Sequence, residues 1–582
     1  MDSGPITQTD GTSRRALLAA AATGVTAATA GCVRQARSVI TRDAVDRLSV
    51  TIATVPSDYD REAVQLARRL GDNLEAVGIG VSIDFLARDE LPRAVLVNHD
   101  FDLYVGRHPD FTDPDFLYEA LHSRYADESG WQNPFGFTSM AFDELLERQR
   151  TLEGEPRRGA VVDVLEGVAE EQPFVPICVP EEYRLVRDDR AGGWDDGHLA
   201  TRLGYLGLET PERDAELRAA IVDTRPTKNL NPLSVEYREQ GTVVDLLYDS
   251  LGTVDDGELR PWLARSWEWD GSTATVELRE GVRWHDGEAL TAADVAFTYR
   301  LLEDTTLGDG SVPSPAPRYR GLTSLVDEIE LEDEHTLSLS VTAGPDVGSR
   351  AFTVPILPEH VWADRTDEAS IPGVRVAQGT TEALVTDNVP PVGSGPFAFA
   401  ERTERDVLVL ERFDDHFTTT DDALPGATVE RLRILVHPRS TSAIEAVEAG
   451  DADVTITPLE AYSVETVSES SLVRLLTSPS TTFYHVGFNA RNAPFSNPYF
   501  RRTVAGLLDK AWLVEEVFEG YARPIATPAT DAWTPDSLAF EGEDPAVPFF
   551  GSDGELDERA ARSAFEEAGF RYDEEGHLLA RH

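Results

Sequence analysis

The chain has 582 residues and a formal net charge of −52, from 104 acidic against 52 basic residues. That length is too great for one hydrophobic core and predicts two or three domains, while the charge argues against a nucleic-acid partner. A hydrophobic content of 41% argues against a disordered acidic chain.

Lys228 and Lys510 are the only two lysines, so nearly all positive charge is arginine. An acidic, lysine-poor surface suits concentrated salt: at ~1 M the Debye length is only ~3 Å, which screens self-repulsion. Ser13-Arg14-Arg15-Ala16-Leu17-Leu18 is a twin-arginine pattern, and Ala16–Ala30 has the length of a signal h-region. The run ends in Thr29-Ala30-Gly31-Cys32, which resembles a lipobox. Residues 1–32 are therefore expected to be an export leader, Cys32 the lipidated start of the mature chain, and 33–46 a tether. With Cys32 lipidated, Cys178 is the one remaining thiol, so no intramolecular disulfide can form; it stands in an apolar run and is expected to be buried.

Leu48–Val55 reads as a strand, Asp58–Val77 as an amphipathic helix and Val81–Phe85 as the next strand. Strand–helix–strand is a βαβ unit of a parallel sheet. A third strand, Phe101–Val105, leads into the loop Gly106–Phe116, and loops at the carboxyl ends of parallel strands line ligand crevices. Residues 157–170 form another amphipathic helix, Pro173–Ile177 a crossing strand and Leu203–Arg213 a linker. Beyond the linker come a strand near Ala215–Asp223 and a helical segment carrying Leu246, Leu247 and Leu251. Then follow the turn Asp255-Asp256-Gly257, the alternating strand 273–279 and Thr291 as an N-cap three residues before Asp294. Val326–Val341 reads as two strands and Arg433–Val436 as a hinge strand. Ser440–Ala449 is a helix, Phe483–Asn489 a strand, and a further helix is expected from Phe500 to Lys510. The chain closes on the helix Glu555–Gly569.

The stretch Asp245–Leu302 resembles the signature region of the peptide- and nickel-type solute-binding proteins of ABC importers. Leu230-Asn231-Pro232, Pro358–Trp362, Val392-Gly393-Ser394-Gly395-Pro396-Phe397, Gly450–Val454, Pro494–Arg502 and Asn133–Leu146 resemble further segments of that family. Each family segment occurs once but in rotated order, with the family's ending placed first. The resemblance implies an α/β, periplasmic-binding-protein-like fold of two lobes, circularly permuted. The second lobe is expected from 47–172 and 436–582, a crossover from 173–202, a linker joining the old termini at 203–213, and the first lobe from 214–435. It also implies a lipid-anchored monomer on the outer face of the membrane that delivers a di- or oligopeptide to permease subunits and needs no cofactor.

In that family an aspartate four positions before the proline of an Asp-Pro dipeptide pairs with the ligand's ammonium group, and Asp110 matches it. Where the family has Gly-Trp ahead of this loop, this chain has Val105-Gly106-Arg107. The candidate ligand-binding residues are Asp110, Asp113, Arg107, Gly393 and Tyr484. Asp113 and Asp115 are also natural turn or capping residues, and Arg501 is read as a structural ion pair at a helix start. No zinc-protease motif, nucleophile elbow, phosphate loop or Cys–His metal spacing occurs. Trp284-His285-Asp286 is read as a turn, because neighbouring residues point apart. The alternatives are a secreted hydrolase, or a binder of oligosaccharide or metal chelate. For a sugar, Trp262, Trp267, Trp269 and Trp284 would stack on the rings; otherwise they belong to the core.

Overall fold

A computed structural model describes residues 47–580 apart from 88–89, 110, 196–197, 211–214, 239–240, 371–379, 422 and 469–471. The leader, Cys32, the tether and Asp110 lie outside the described residues.

The amino-terminal βαβ unit forms as its pattern predicts. Strand β1 (Ser49–Thr54) leads to helix α1 (Arg61–Ala76) and to β2 (Gly80–Phe85), which pairs with β1 in parallel. The helix starts at residue 61 because Asp60 is its cap, accepting from the Ala63 amide at 2.8 Å. Its buried stripe is Ala63, Leu66, Ala67, Leu70 and Leu74. Strand β3 (Leu103–His108) lies parallel on the other side of β1. Helices α2 (Phe116–Leu121), α3 (Met140–Arg150) and α4 (Gly154–Glu171) follow, then the long strand β4 (Phe174–Arg187) and β5 (Glu216–Ile221).

A separate four-stranded antiparallel sheet comprises β6 (Ala264–Asp270), β7 (Thr273–Leu278), β8 (Val326–Leu331) and β9 (Thr336–Val341), in the order β8-β9-β7-β6. Helix α5 (Ala292–Glu303) lies between its halves in sequence and opens on the expected capping box, with the Thr291 amide donating to Asp294 at 2.9 Å. The helix expected around Leu246 is one turn, Thr242–Asp245, although Leu246, Leu247 and Leu251 are buried as predicted.

Further elements are β10 (Phe397–Thr403), β11 (Val407–Arg412), β12 (Arg431–Val436), α6 (Ser440–Ala449), β13 (Val454–Thr455), β14 (Val473–Pro479), β15 (Phe483–Phe488), α7 (Pro498–Ala505), α8 (Lys510–Val517), β16 (Ala522–Pro524) and α9 (Glu558–Glu567). The single helix expected to run to Lys510 is two helices. A side chain at Gly506 would fall 2.5 Å from the Phe550 ring, and Asp509 caps a new helix by accepting from the Trp512 amide.

The main sheet has the order β10-β11-β12-β5-β13-β4-β15-β3-β1-β2, with β14 and β16 also paired to β4. Strand β4 is the join. Its first half pairs with β15 and β16, its second half with β14 and β13. Hydrophobic packing divides at the same place. One assembly runs from Val186 to Leu476 and contains Trp262, Trp284 and Trp362. A second draws on both ends of the chain, joining Leu48–Val105 to Tyr484–Leu578, and an aromatic cluster from Phe101 to Val179 flanks it. Helix α6 packs with Leu185 and Ala220, and β13 pairs with β5, so the packing shared with the amino-terminal strands resumes only at β15. The expected linker also packs: Tyr205 is fully buried and donates to the Leu199 carbonyl.

The two ends meet by backbone pairing. The Leu48 amide donates to the Leu578 carbonyl at 2.7 Å, and the Leu578 amide donates to the Gly78 carbonyl at 2.8 Å. Gly78 has φ +88°, and a β-carbon there would lie 2.1 Å from the Gly576 carbonyl oxygen, so only glycine admits the closing turn.

Candidate functional site

Parallel strands β1 and β3 end at the same edge of the sheet, and polar residues gather beyond them. Arg107, on β3, donates to the Tyr484 hydroxyl at 2.6 Å and stands 4.7 Å above that ring. Strand β15 supplies Tyr484, because it lies antiparallel to β3 with Tyr484 opposite Arg107. The Tyr484 hydroxyl donates in turn to Asp60, 3.0 Å from both carboxylate oxygens, and Arg107 is 3.4 Å from the same carboxylate. Tyr484 is wholly buried, which pushes its phenol far above the ordinary range. Two sequence candidates are thus brought together, and Asp60 joins them. Sequence reasoning missed Asp60, which the structure shows capping α1.

Glu62 stands in the first turn of α1 and is buried. Burial, and then the neighbouring Asp60 carboxylate, raise its carboxyl to about 7. Glu460 also presses on it, from the turn where Tyr462 takes a cation–π contact from Arg61 at 5.4 Å.

The loop after β3 is fastened at its far end. Asp113 accepts from the Asp115 amide at 2.8 Å, an Asx turn, and from Arg157 at 2.6 Å. Burial would raise the Asp113 carboxyl, but Arg350 and Arg157 outweigh it and hold it below the usual range. Asp115 makes no cap bond to α2. Its buried carboxylate accepts instead from Gln149 (2.6 Å), Arg150 (2.6 and 2.8 Å) and Arg350 (2.9 Å). Nothing local in the sequence announces that convergence. Asp110 falls between these described flanks and is itself outside the described residues.

Gly393 lies in the other assembly. Its carbonyl accepts from the His285 amide at 2.8 Å, its amide is 3.3 Å from His285 Nδ1, and a β-carbon would meet the Leu247 carbonyl oxygen at 1.9 Å. A tight backbone crossing therefore explains this glycine. His285 and Asp286 face apart, as expected of a turn: His285 Nε2 is 3.0 Å from the Gly395 carbonyl, and Asp286 is 2.8 Å from His360. Burial drops the His285 imidazole to about 4.

The tryptophans are core or lean on it. Trp262 is buried and donates to Asp249 at 2.7 Å, Trp284 is buried, and Trp267 and Trp269 pack against Phe352. Arg501 is structural, but the expected ion pair is a minor part of its role. It donates to the carbonyls of Glu171, Gln172 and Phe495, at 2.6–3.1 Å, and approaches the Glu171 carboxylate only at 3.4 Å. It thereby satisfies carbonyls at the end of α4, where Gln172 turns left-handed.

Two described groups have metal-like composition, His198 with Asp255 and Asp256, and Asp573 with Glu575 and His577. Each already holds a guanidinium: Arg260 is 3.1 Å from Asp255, and Arg47 is 2.9 Å from Asp573. That cation occupies the charge a metal would use. Cys178 is fully buried, which raises its thiol, so it is a core residue. Among the described residues no helix is long and apolar enough to cross a membrane.

The model of the bacterial extracellular solute-binding proteins, family 5, matches residues 258–579, more than half of the chain. The chain belongs to this family. Its members are binding proteins, so the question the site poses is what it holds and not what it converts. The chain is 27% identical over 334 residues to the oligopeptide-binding protein AppA of Bacillus subtilis, covering 56% of this chain and 55% of that one. It is 25% identical over 345 residues to the glutathione-binding protein GsiB of Pectobacterium atrosepticum, covering 59% of each. The chain thus spans little more than half the length of these relatives. Among solved structures, AppA of Bacillus subtilis with a nonapeptide aligns at a TM-score of 0.44 and 18% identity, covering 63% of this chain and 66% of that one.

Proposed function

We propose that this chain is the extracellular solute-binding component of an ABC importer and that its ligand is a di- or oligopeptide. Membership of family 5 carries this reading, together with relatives named for oligopeptides and glutathione. The site adds physical support. Arg107, Tyr484 and Asp60 converge beyond the carboxyl ends of β1 and β3, where open parallel sheets take ligands. The loop from Arg107 to Asp115 carries Asp110 as the partner of the peptide ammonium group.

In this reading the two hydrophobic assemblies are two lobes, one built from residues 186–476 and the other from 48–179 and 483–578. Strand β4 is a crossing between them, and the lobes close on ligand by hinge motion. The rotated order of family segments is a circular permutation. Its support is the packing of Leu48–Val105 with Tyr484–Leu578 and the backbone pairing of Leu48 with Leu578. Cys32 anchors the chain by lipid on the outer face of the membrane, beside the permease. The acidic surface adapts it to concentrated salt, and Lys510, one of the two lysines, is buried against Asp544 at 2.6 Å.

Calorimetry with short peptides in concentrated salt tests the ligand class. Asp110→Asn is expected to weaken peptide binding by about tenfold or more, the equivalent of ~1.4 kcal/mol. Unchanged affinity would remove the ammonium assignment. Mass spectrometry of material that co-purifies with the protein separates a peptide from a sugar or metal chelate.

A further inference from the structure

The two assemblies touch at a second place, away from β4. On one side stand Arg238, Arg320 and Arg350, next in sequence or nearly so to Tyr237, Tyr319 and Phe352 of the first assembly. On the other stand Glu119, Glu128 and Asp115, in the segment whose Phe116, Tyr118 and Tyr125 belong to the aromatic cluster. Arg238 holds Glu119 through two N–H groups, at 3.1 and 2.7 Å. Arg320 holds Glu128 in the same way, at 3.1 and 3.2 Å. Arg350 donates to Asp115 at 2.9 Å. Two of the guanidiniums also face aromatic rings across the contact, Arg238 at 5.8 Å from Trp131 and Arg320 at 5.5 Å from Tyr125.

The backbone is shaped for this approach. A β-carbon at Gly321 would fall 2.4 Å from a Glu119 carboxylate oxygen. The Gly344 amide donates to the Arg150 carbonyl at 2.8 Å, and the Gly154 amide to Asp346 at 2.9 Å. The ionic contact is one-sided, with all three cations in one assembly and all three anions in the other. In a chain of net charge −52, two acidic bodies repel unless salt screens them. Partly desolvated, two-pronged guanidinium–carboxylate pairs act at contact distance and outlast that screening. The Arg238–Glu119 side chains are only 12% and 10% exposed.

We propose that Arg238, Arg320 and Arg350 form a latch between the lobes that stabilises the closed state and, through Arg350 on Asp115, ties closure to the loop that carries the ligand aspartate. The proposal rests on the two-lobed binding reading. Opening removes Arg350 from a carboxylate that Gln149 and Arg150 still hold, so Asp115 keeps its place but loses one partner. Arg350 is a positioning residue in this scheme and needs no contact with ligand.

Pulsed electron paramagnetic resonance decides it. Spin labels go on Met140→Cys and Leu331→Cys, which are exposed on the two bodies, in protein carrying Cys32→Ser. Without ligand, the triple variant Arg238→Gln, Arg320→Gln, Arg350→Gln is expected to shift the distance distribution to longer values than the parent. The single changes Arg238→Glu and Glu119→Arg should lengthen it too, and their combination should bring it back, which keeps the test valid if the triple variant fails to fold. Identical distributions in parent, triple and single variants would overturn the latch. Tetraalanine is then titrated by calorimetry, with about tenfold weaker binding expected for the triple variant. If tetraalanine does not bind the parent, the peptide reading loses its support, and the distance comparison still decides the latch.

Discussion

Glu62 shows how one residue inherits its chemistry from its neighbours. A carboxyl at the start of a helix is ordinarily ionised at neutral pH, and the dipole favours it. Here burial and Asp60 raise it to about 7. The folded state therefore holds a proton that the unfolded chain, with the ordinary glutamate value of 4.5, gives up earlier. Stability from this group is present below pH ~4.5 and is lost as pH rises towards 7, a difference of roughly 3 kcal/mol if the whole shift counts. Glu62→Gln is expected to flatten the stability profile between those pH values and to raise stability at pH 8. Denaturant unfolding at several pH values checks this, and a slope unchanged by the substitution would show that Glu62 is ionised throughout. The same lesson applies to Asp113 and Asp115. Both read as turn residues from composition alone. Asp113 does build the turn, but Asp115 turns out to be the centre of a buried arginine network.

At the scale of elements, the local signals that held were those whose partners lie within a few residues. The Thr291–Asp294 box on α5 is of this kind. Asp294 has a second duty that the local pattern does not reveal, because its other oxygen accepts from the Glu359 amide at 3.1 Å. Asp294→Ala should therefore leave two backbone donors without a partner and cost on the order of 2 kcal/mol, more than a lone cap. A shift in the guanidinium midpoint no larger than that of Thr291→Ala would argue against the double role. Where an element was misjudged, a distant contact decided it. Phe550 fills the space beside Gly506 and splits one expected helix into α7 and α8. Arg501 spends its donors on the carbonyls that end α4, far from its own helix in sequence.

The whole molecule carries its charge as a surface property. With 104 acidic residues against 52 basic ones, carboxylates outnumber their counterions two to one. Raising the salt from ~0.1 M to ~1 M shortens the Debye length from about 10 Å to about 3 Å. The thermal midpoint is expected to rise across that range, and the separation of the labelled lobes to fall. A midpoint that is flat or falling with salt would remove the proposed adaptation to concentrated salt. The buried pairs, Asp115 with Arg150 and Asp544 with Lys510, should survive the change, because bulk ions do not reach them.

The sequence by itself determined the α/β class, the leading βαβ unit, the Thr291 cap, the lack of catalytic patterns and the likeness to solute-binding proteins. These rest on periodicity and on motifs read within short windows, where hydrogen bonds and apolar faces repeat at fixed spacing. Only the tertiary structure placed Tyr484 on Arg107, across 377 residues, and on Asp60, across 424. It also packed Leu48–Val105 against Tyr484–Leu578 and set three arginines against three carboxylates. Such contacts depend on which strands become neighbours in the sheet. That order minimises exposed apolar surface over the whole chain, and no local stretch contains it.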